Sequence, residues 1–315
     1  MTDLSLLATV LAKGLAQPTS INAPPSAAFV AFDRKSTRSR RKHSSKNASQ
    51  PKALLQPNVQ PDSRQDATEF SQPKFGLPSS CSQFYWQRFA ALRSGRLYTR
   101  LPIDSFRDIW LRATGEPTYN QWRTLLALEA KAATGGQGNR RLSVMVGDSL
   151  SLWFPSDRLP TGQLWLNQAI SGENTSAILQ RLPAFANARP QAIYVMAGIN
   201  DLKQGATDND ILWNLRQIVR RLQQSHPHAR IVVQSILPTR TAIVPGNRIG
   251  WLNEQLAAIA KQDGAIFLDL YSQFTDADGS LRRELTTDGL HLNANGYATW
   301  QAQLAQADTW LARGG

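Results

Sequence analysis

The chain has 315 residues, 42% of them apolar, and a formal net charge of +12. That length holds one large domain or two small ones. A single cysteine, Cys81, excludes an internal disulfide, and no run of about 18 apolar residues marks a membrane-spanning helix. The N-terminal stretch MTDLSLLATVLAKGLAQPTS reads as a short amphipathic helix rather than an export signal. Asp3 stands where a signal peptide is basic, and Lys13 interrupts the apolar core. A cytoplasmic or peripheral-membrane location is therefore expected over secretion. Residues 31–52 carry eight Lys or Arg (Arg34, Lys35, Arg38, Arg40, Arg41, Lys42, Lys46, Lys52) against Asp33. Most of the net charge thus sits in a segment too polar to bury a core, and residues 1–80 are expected to be disordered. Such a tail can touch an anionic surface through charge alone. It gives no ground to expect specific nucleic-acid binding by the folded part.

Residues 81–139 read as a helical lead-in. Residues 82–94 space Phe84, Phe89 and Leu92 as a helix does, and SFRDIWLRA and TYNQWRTLLALEAKAA are amphipathic. Thr118 is placed to cap the last of these, with Gly135-Gly136 as its stop. From residue 140 onward the pattern alternates. Apolar runs at 142–146, 164–166, 192–196, 231–237 and 265–270 predict strands. Helical patterns at 175–182, 210–224, 248–261 and 294–311 separate or follow them. Alternating strands and helices predict an α/β fold with a parallel five-stranded sheet covered on both faces.

In such sheets the working groups lie beyond the carboxyl ends of the strands. Gly147-Asp148-Ser149 follows the first strand, and NQAISGENT follows the second. AGIND follows the third and PTRT, with Arg240, the fourth. TTDGLHLN precedes the last helix. The first turn, GDSLSL, has neither the glycines of a dinucleotide fold nor the Gly-Lys-Ser/Thr of a phosphate loop. There is no Cys pair and no His-Glu-x-x-His, so no metal site and no cofactor are expected. DADGS at 276–280 places its glycine too early for an EF-hand loop and reads as a turn.

Serine catalysis remains. A serine hydroxyl needs a base within hydrogen-bond reach, and the base needs an orienting partner. Of four histidines, His43 lies in the basic tail, and His226 and His228 precede the fourth strand at the far end of the sheet. His291 is left, with Asp288 three residues before it. Acyl transfer also needs donors for an oxyanion. The N–H of the Ser149 turn, the N–H of Gly172 and the amide of Asn200 are available. Taken singly, Asp288 is a helix cap, Gly172 a turn glycine and Asn200 a turn asparagine. Taken together they complete a nucleophile, a base, an orienter and three donors on one rim.

Four blocks in this order resemble those of the SGNH (GDSL) hydrolase superfamily: GDSL at 147–150, Asn167 with Gly172, GIND at 198–201 and DGLH at 288–291. The tail DGLHLNANGYATW is similar to its bacterial esterase and platelet-activating-factor acetylhydrolase-like branches. The resemblance covers residues 140–312. It implies a three-layer, flavodoxin-like α/β/α sandwich over residues 140–315. It also implies Ser149 as nucleophile, His291 as base, Asp288 as its partner, and Ser149, Gly172 and Asn200 as the oxyanion hole. Ala169 stands where the family often has a glycine, two residues after the block asparagine. The implied activity is hydrolysis of a carboxylic ester of a small-molecule, lipid or carbohydrate substrate. Trp153 and Arg240 are candidates to line the substrate mouth. Acyl transfer to a sugar or lipid alcohol would use the same residues. A catalytically vestigial tethering module would instead use the basic tail.

Overall fold

The computed structural model describes residues 76–313. The readings of the amino-terminal helix and the basic tail lie outside these residues. The described residues belong to one compact unit. Its chain order is α1 (Cys81–Arg93), α2 (Arg107–Trp110), α3 (Tyr119–Gly136), β1 (Leu142–Gly147), α4 (Ser149–Leu152) and β2 (Leu164–Ala169). Next come α5 (Thr175–Arg181), β3 (Ala192–Met196), α6 (Ile199–Lys203), α7 (Asp208–Ser225), β4 (Arg230–Gln234) and α8 (Gly246–Gln262). β5 (Ile266–Leu268), α9 (Tyr271–Phe274) and α10 (Ala294–Ala312) complete the unit.

The five strands pair in parallel in the order β2-β1-β3-β4-β5, the flavodoxin-like order. Alternate residues of each strand face opposite ways, and the core divides accordingly. Val144, Val146, Ile193, Val195, Ile231 and Val233 pack with α5, α7 and α8. Met145, Trp165, Tyr194 and Val232 pack on the other face with Phe154, Phe274, Trp300 and Leu304. Each fully buried aliphatic side chain is worth roughly 1.5–3 kcal/mol, so the two apolar faces account for the layered arrangement.

The lead-in forms a third cluster. Phe84, Tyr85, Tyr98, Trp122, Leu125 and Leu126 pack against Leu152, Ala169 and Ile170. It therefore covers the β2 edge and the back of α4. Within this cluster the buried Arg88 guanidinium donates from Nε to Glu129 Oε1 at 3.1 Å and from an Nη to the Asn167 carbonyl at 2.8 Å. Its carbon lies 4.6 Å from the Tyr98 ring centroid.

Thr118 caps α3 in a capping box with Gln121. The predicted glycine stop falls inside the helix, and the chain turns at Gly138, with φ of 57°. The amphipathic stretch at 105–113 yields only the single turn α2. Phe106 enters it in the left-handed region, and Trp110 is the one side chain the turn buries. β2 runs three residues beyond its apolar core. Asn167 and Gln168 stay buried there because their side chains bond the carbonyls of Ser151 and Leu126 at 2.8 and 3.0 Å. β4 ends at Gln234, short of the predicted residue 237. Its continuation bonds elsewhere: Ile236 N–H goes to Asn253, and Ser235 Oγ accepts from Leu270 and Tyr271.

Candidate active site

Register places the site. Gly147 of β1 lies opposite Ala169 of β2 and Met196 of β3. The segments that leave these three strands therefore start at one level on one rim. A Cβ on Gly147 would lie 2.5 Å from the Met196 carbonyl oxygen and closer still to Ser151 Oγ. Only glycine lets β1 and β3 close while the chain turns into α4. Asp148 Oδ1 caps that turn by accepting the Leu150 N–H at 3.0 Å. Ser149 opens α4, its side chain 8% exposed. α10 supports the turn from beneath, Tyr297 Oη donating to the Leu150 carbonyl at 3.1 Å.

Ser149 Oγ lies 3.4 Å from His291 Nε2. His291 Nδ1 lies 2.7 Å from Asp288 Oδ2, and Asp288 Oδ1 accepts the backbone N–H groups of Leu290 and His291 at 2.9 and 2.7 Å. Partial burial would raise the Asp288 carboxyl, but its bonds from the His291 ring and from those two N–H groups outweigh it. They hold the carboxyl down at about 2. A carboxylate at Nδ1 fixes the tautomer that leaves Nε2 as the acceptor facing Ser149. The 288–291 turn is clamped from outside: Arg240 N–H and Thr239 Oγ1 both donate to the Gly289 carbonyl, at 2.8 and 2.9 Å.

Gly172 sits exposed in the turn after β2 with φ of 81°, a conformation that favours glycine. Neither its N–H nor that of Ser149 meets a protein acceptor among the described residues. Asn200, the second residue of α6, has its side chain buried, and its Nδ2 donates to the Glu173 carbonyl at 2.9 Å. An amide nitrogen carries two hydrogens. One thus ties α6 to the Gly172-Glu173 turn, and the other is left for a ligand.

Three groups that support this rim escaped the sequence reading. Glu173 and Arg181 form a buried ion pair, Arg181 Nε lying 2.6 and 2.8 Å from the two carboxylate oxygens. Arg181 also donates to the Gly147 carbonyl at 3.3 Å, and Tyr119 of the lead-in donates to Glu173 at 3.0 Å. Asp201 accepts from the Thr175 N–H and hydroxyl at 2.8 and 2.5 Å, fixing α6 to α5. A charged residue beside each block residue was the only available signal, and it does not distinguish a buried pair from a solvated one.

The side chains of the two substrate-lining candidates are both engaged by other parts of the protein. Trp153 stacks on Phe84 at 5.2 Å and lines an apolar cavity of about 200 Å³ between the lead-in and residues 153–156. Arg240 gives its guanidinium to Asp276 and the Leu281 carbonyl. Its guanidinium thus braces the 276–281 turn, while its backbone N–H holds the 288–291 turn. DADGS is that turn, Asp276 accepting the N–H groups of Asp278 and Ser280 at 3.1 and 2.9 Å. His226 is buried against Phe185 at the amino end of β4, away from the rim.

Asp148 carries a testable consequence. It is fully buried, and its Oδ2 has no partner. Burial pushes its carboxyl up to about 7, the Leu150 N–H pulls it down and the Asp201 charge pushes it up again. In the unfolded chain it would ionise near 3.9. Between those values the folded state binds the extra proton, so stability falls as pH rises from about 4 through 7. Asp148→Asn keeps the cap and removes the titration. Between pH 5 and 8 the melting temperature of the variant should drop less than that of the wild type, by about 2–4 °C for each kcal/mol released. Equal drops, read by scanning calorimetry, would show that Asp148 stays ionised.

Platelet-activating factor acetylhydrolase IB subunit alpha1 of Homo sapiens is 32% identical over 136 residues, or 42% of this chain and 58% of that protein. N-acylneuraminate cytidylyltransferase of Streptococcus agalactiae is 25% identical over 166 residues, 52% of this chain and 38% of that protein. The chain thus spans less than two thirds of the length of these curated relatives. Among solved structures, a GDSL-like lipase from Bacteroides thetaiotaomicron superposes with a TM-score of 0.50 at 20% identity, over 60% of this chain and all of that one. A Streptococcus pneumonia protein described as a platelet activating factor superposes at 0.54 with 24% identity, over 61% of this chain and 94% of that one. These two likenesses speak for the fold. Residues 132–299 match the model of the GDSL-like lipase/acylhydrolase family, more than half of the chain, and the chain belongs to that family.

Proposed function

We propose that this protein is a serine-dependent carboxylic ester hydrolase working through Ser149, His291 and Asp288. The observation that carries the reading is the relay from Ser149 Oγ to His291 Nε2 at 3.4 Å and from His291 Nδ1 to Asp288 at 2.7 Å. Ser149 Oγ attacks the ester carbonyl carbon as its proton passes to His291 Nε2. The carbonyl oxygen becomes an oxyanion and accepts the N–H groups of Ser149 and Gly172 and the second amide hydrogen of Asn200. The carbon–oxygen ester bond then breaks, and His291 returns the proton to the leaving alkoxide. Water enters by the same route: His291 takes its proton, the acyl-enzyme bond breaks, and acid is released with Ser149 reprotonated. Asp288, held as a carboxylate to about pH 2, stabilises the imidazolium formed in each half. Acetyl or other short acyl esters are the proposed substrates, a choice supported by the acetylhydrolase names of the curated relatives.

The experiment is hydrolysis of p-nitrophenyl esters, acetate through palmitate, by the wild-type chain. Serine-dependent turnover that falls with chain length supports the reading. No turnover on any ester counts against it. Asn200→Ala removes one of three oxyanion donors and should lower kcat by about 10²–10³-fold. An unchanged kcat would remove Asn200 from the oxyanion hole.

A further inference from the structure

At the amino end of the sheet, beside the start of β2 and away from the rim of the candidate triad, lies a cavity of about 360 Å³. The turn after α1, the end of α3 and the first residue of β2 enclose it. Its wall holds three arginines, Arg96, Arg100 and Arg140, over an apolar back of Leu97, Ala132, Ala133 and Leu164. No Asp or Glu lines it. Several described arginines elsewhere pair with acids: Arg88 with Glu129, Arg181 with Glu173, Arg216 and Arg220 with Asp263, Arg248 with Asp208. Among the described residues the side chains of Arg96 and Arg100 make no hydrogen bond, ion pair or ring contact. Arg140 is oriented by the Gly136 and Gln137 carbonyls, its Nε lying 3.2 Å from the latter.

Arg96, Arg100 and Arg140 are exposed, and three like charges around one concavity repel one another. A bound polyanion removes that repulsion. Guanidinium groups present planar forks that match phosphate oxygens in pairs. A single phosphate would leave much of the cavity empty, so the bound molecule carries a body behind its phosphate. We propose that this cavity binds a phosphate monoester, with the phosphate between Arg96, Arg100 and Arg140 and the organic part on the Leu97–Leu164 wall. The same chemistry is offered by a soluble phosphorylated metabolite and by the headgroup of an acidic phospholipid.

The test uses the full chain, because residues 31–52 also attract anions and must be present in every arm. Glycerol phosphate is titrated by calorimetry at constant ionic strength into wild type, Arg96→Gln/Arg100→Gln and Arg140→Gln. The expected result is one saturable site in the wild type, weakened at least tenfold in the double variant. Turnover of p-nitrophenyl acetate should be equal in all three chains, since none of these residues touches the triad. Equal circular dichroism and melting temperatures show that the variants fold. Co-sedimentation with phosphatidylcholine vesicles containing phosphatidic acid then separates the sources. Vesicle binding lost in the double variant assigns the lipid headgroup. Saturable glycerol phosphate binding with no variant-dependent vesicle binding assigns the soluble ester. Absence of saturable binding, or equal binding by wild type and double variant, overturns the proposal and leaves the basic tail as the anion-binding element.

Discussion

Ser149→Ala is expected to lower ester turnover by on the order of 10⁴-fold or more, because members of a nucleophile–base unit act together. The variant should fold as the wild type does. Ser149 is 8% exposed, and among the described residues the only partner of its hydroxyl is His291. Its loss therefore leaves no buried group stranded apart from a half-exposed imidazole that water can reach. The cap of α4 belongs to Asp148 and survives the change. Residual activity should come from the oxyanion donors alone. Full activity in a folded Ser149→Ala chain would refute the mechanism, whatever ester is used. A burst of p-nitrophenol in the wild type, absent from the variant, would identify the acyl-enzyme directly.

Arg181→Met should act on stability and on chemistry together. Arg181 is 3% exposed and Glu173 4%, so the substitution leaves a buried carboxylate whose remaining side-chain partner is the Tyr119 hydroxyl. Breaking a buried pair from one side costs roughly 3–5 kcal/mol. The backbone of Glu173 is also the piece that holds Asn200, and Arg181 holds the Gly147 carbonyl at the root of the nucleophile turn. Misplacement of the donors by about 1 Å lowers turnover by up to about 10²-fold. The loss should appear in kcat with KM little changed, because the oxyanion forms only during reaction. Adding Glu173→Gln removes the stranded charge and should recover part of the stability but not the turnover. If Arg181→Met lowers the melting temperature and leaves kcat unchanged, the ion pair serves the fold alone.

Tyr119 gives the lead-in a stake in this network. It opens α3, outside the region of family resemblance, yet its hydroxyl reaches Glu173 at 3.0 Å. Arg88 joins α1 to α3 and to the Asn167 carbonyl in the same way. The aromatic spacing of residues 84–136 was legible as helical and apolar. Its attachment to the back of the site was not. Helical periodicity tells which face is buried and is silent about what it is buried against.

Much of the architecture was legible in the chain itself. Runs of β-branched and aliphatic residues at 142–146 and 192–196 became β1 and β3 because a strand buried on both faces needs no polar side. The candidate triad and candidate oxyanion donors were named because few residue types can do acyl transfer and only one histidine stood past the rim ends of the strands. The sequence by itself determined the strand–helix alternation, the Gly-Asp-Ser turn and the Asp-x-x-His spacing, all of which are local. The tertiary structure alone decided the rest. It set β1 between β2 and β3 so that Ser149, Gly172 and Asn200 leave the sheet at one level. It buried Glu173 with Arg181 beneath that rim, turned the Arg240 guanidinium to Asp276, and packed Trp153 on Phe84. A charge or an aromatic ring has many possible partners along a chain, and long-range packing is what chooses among them.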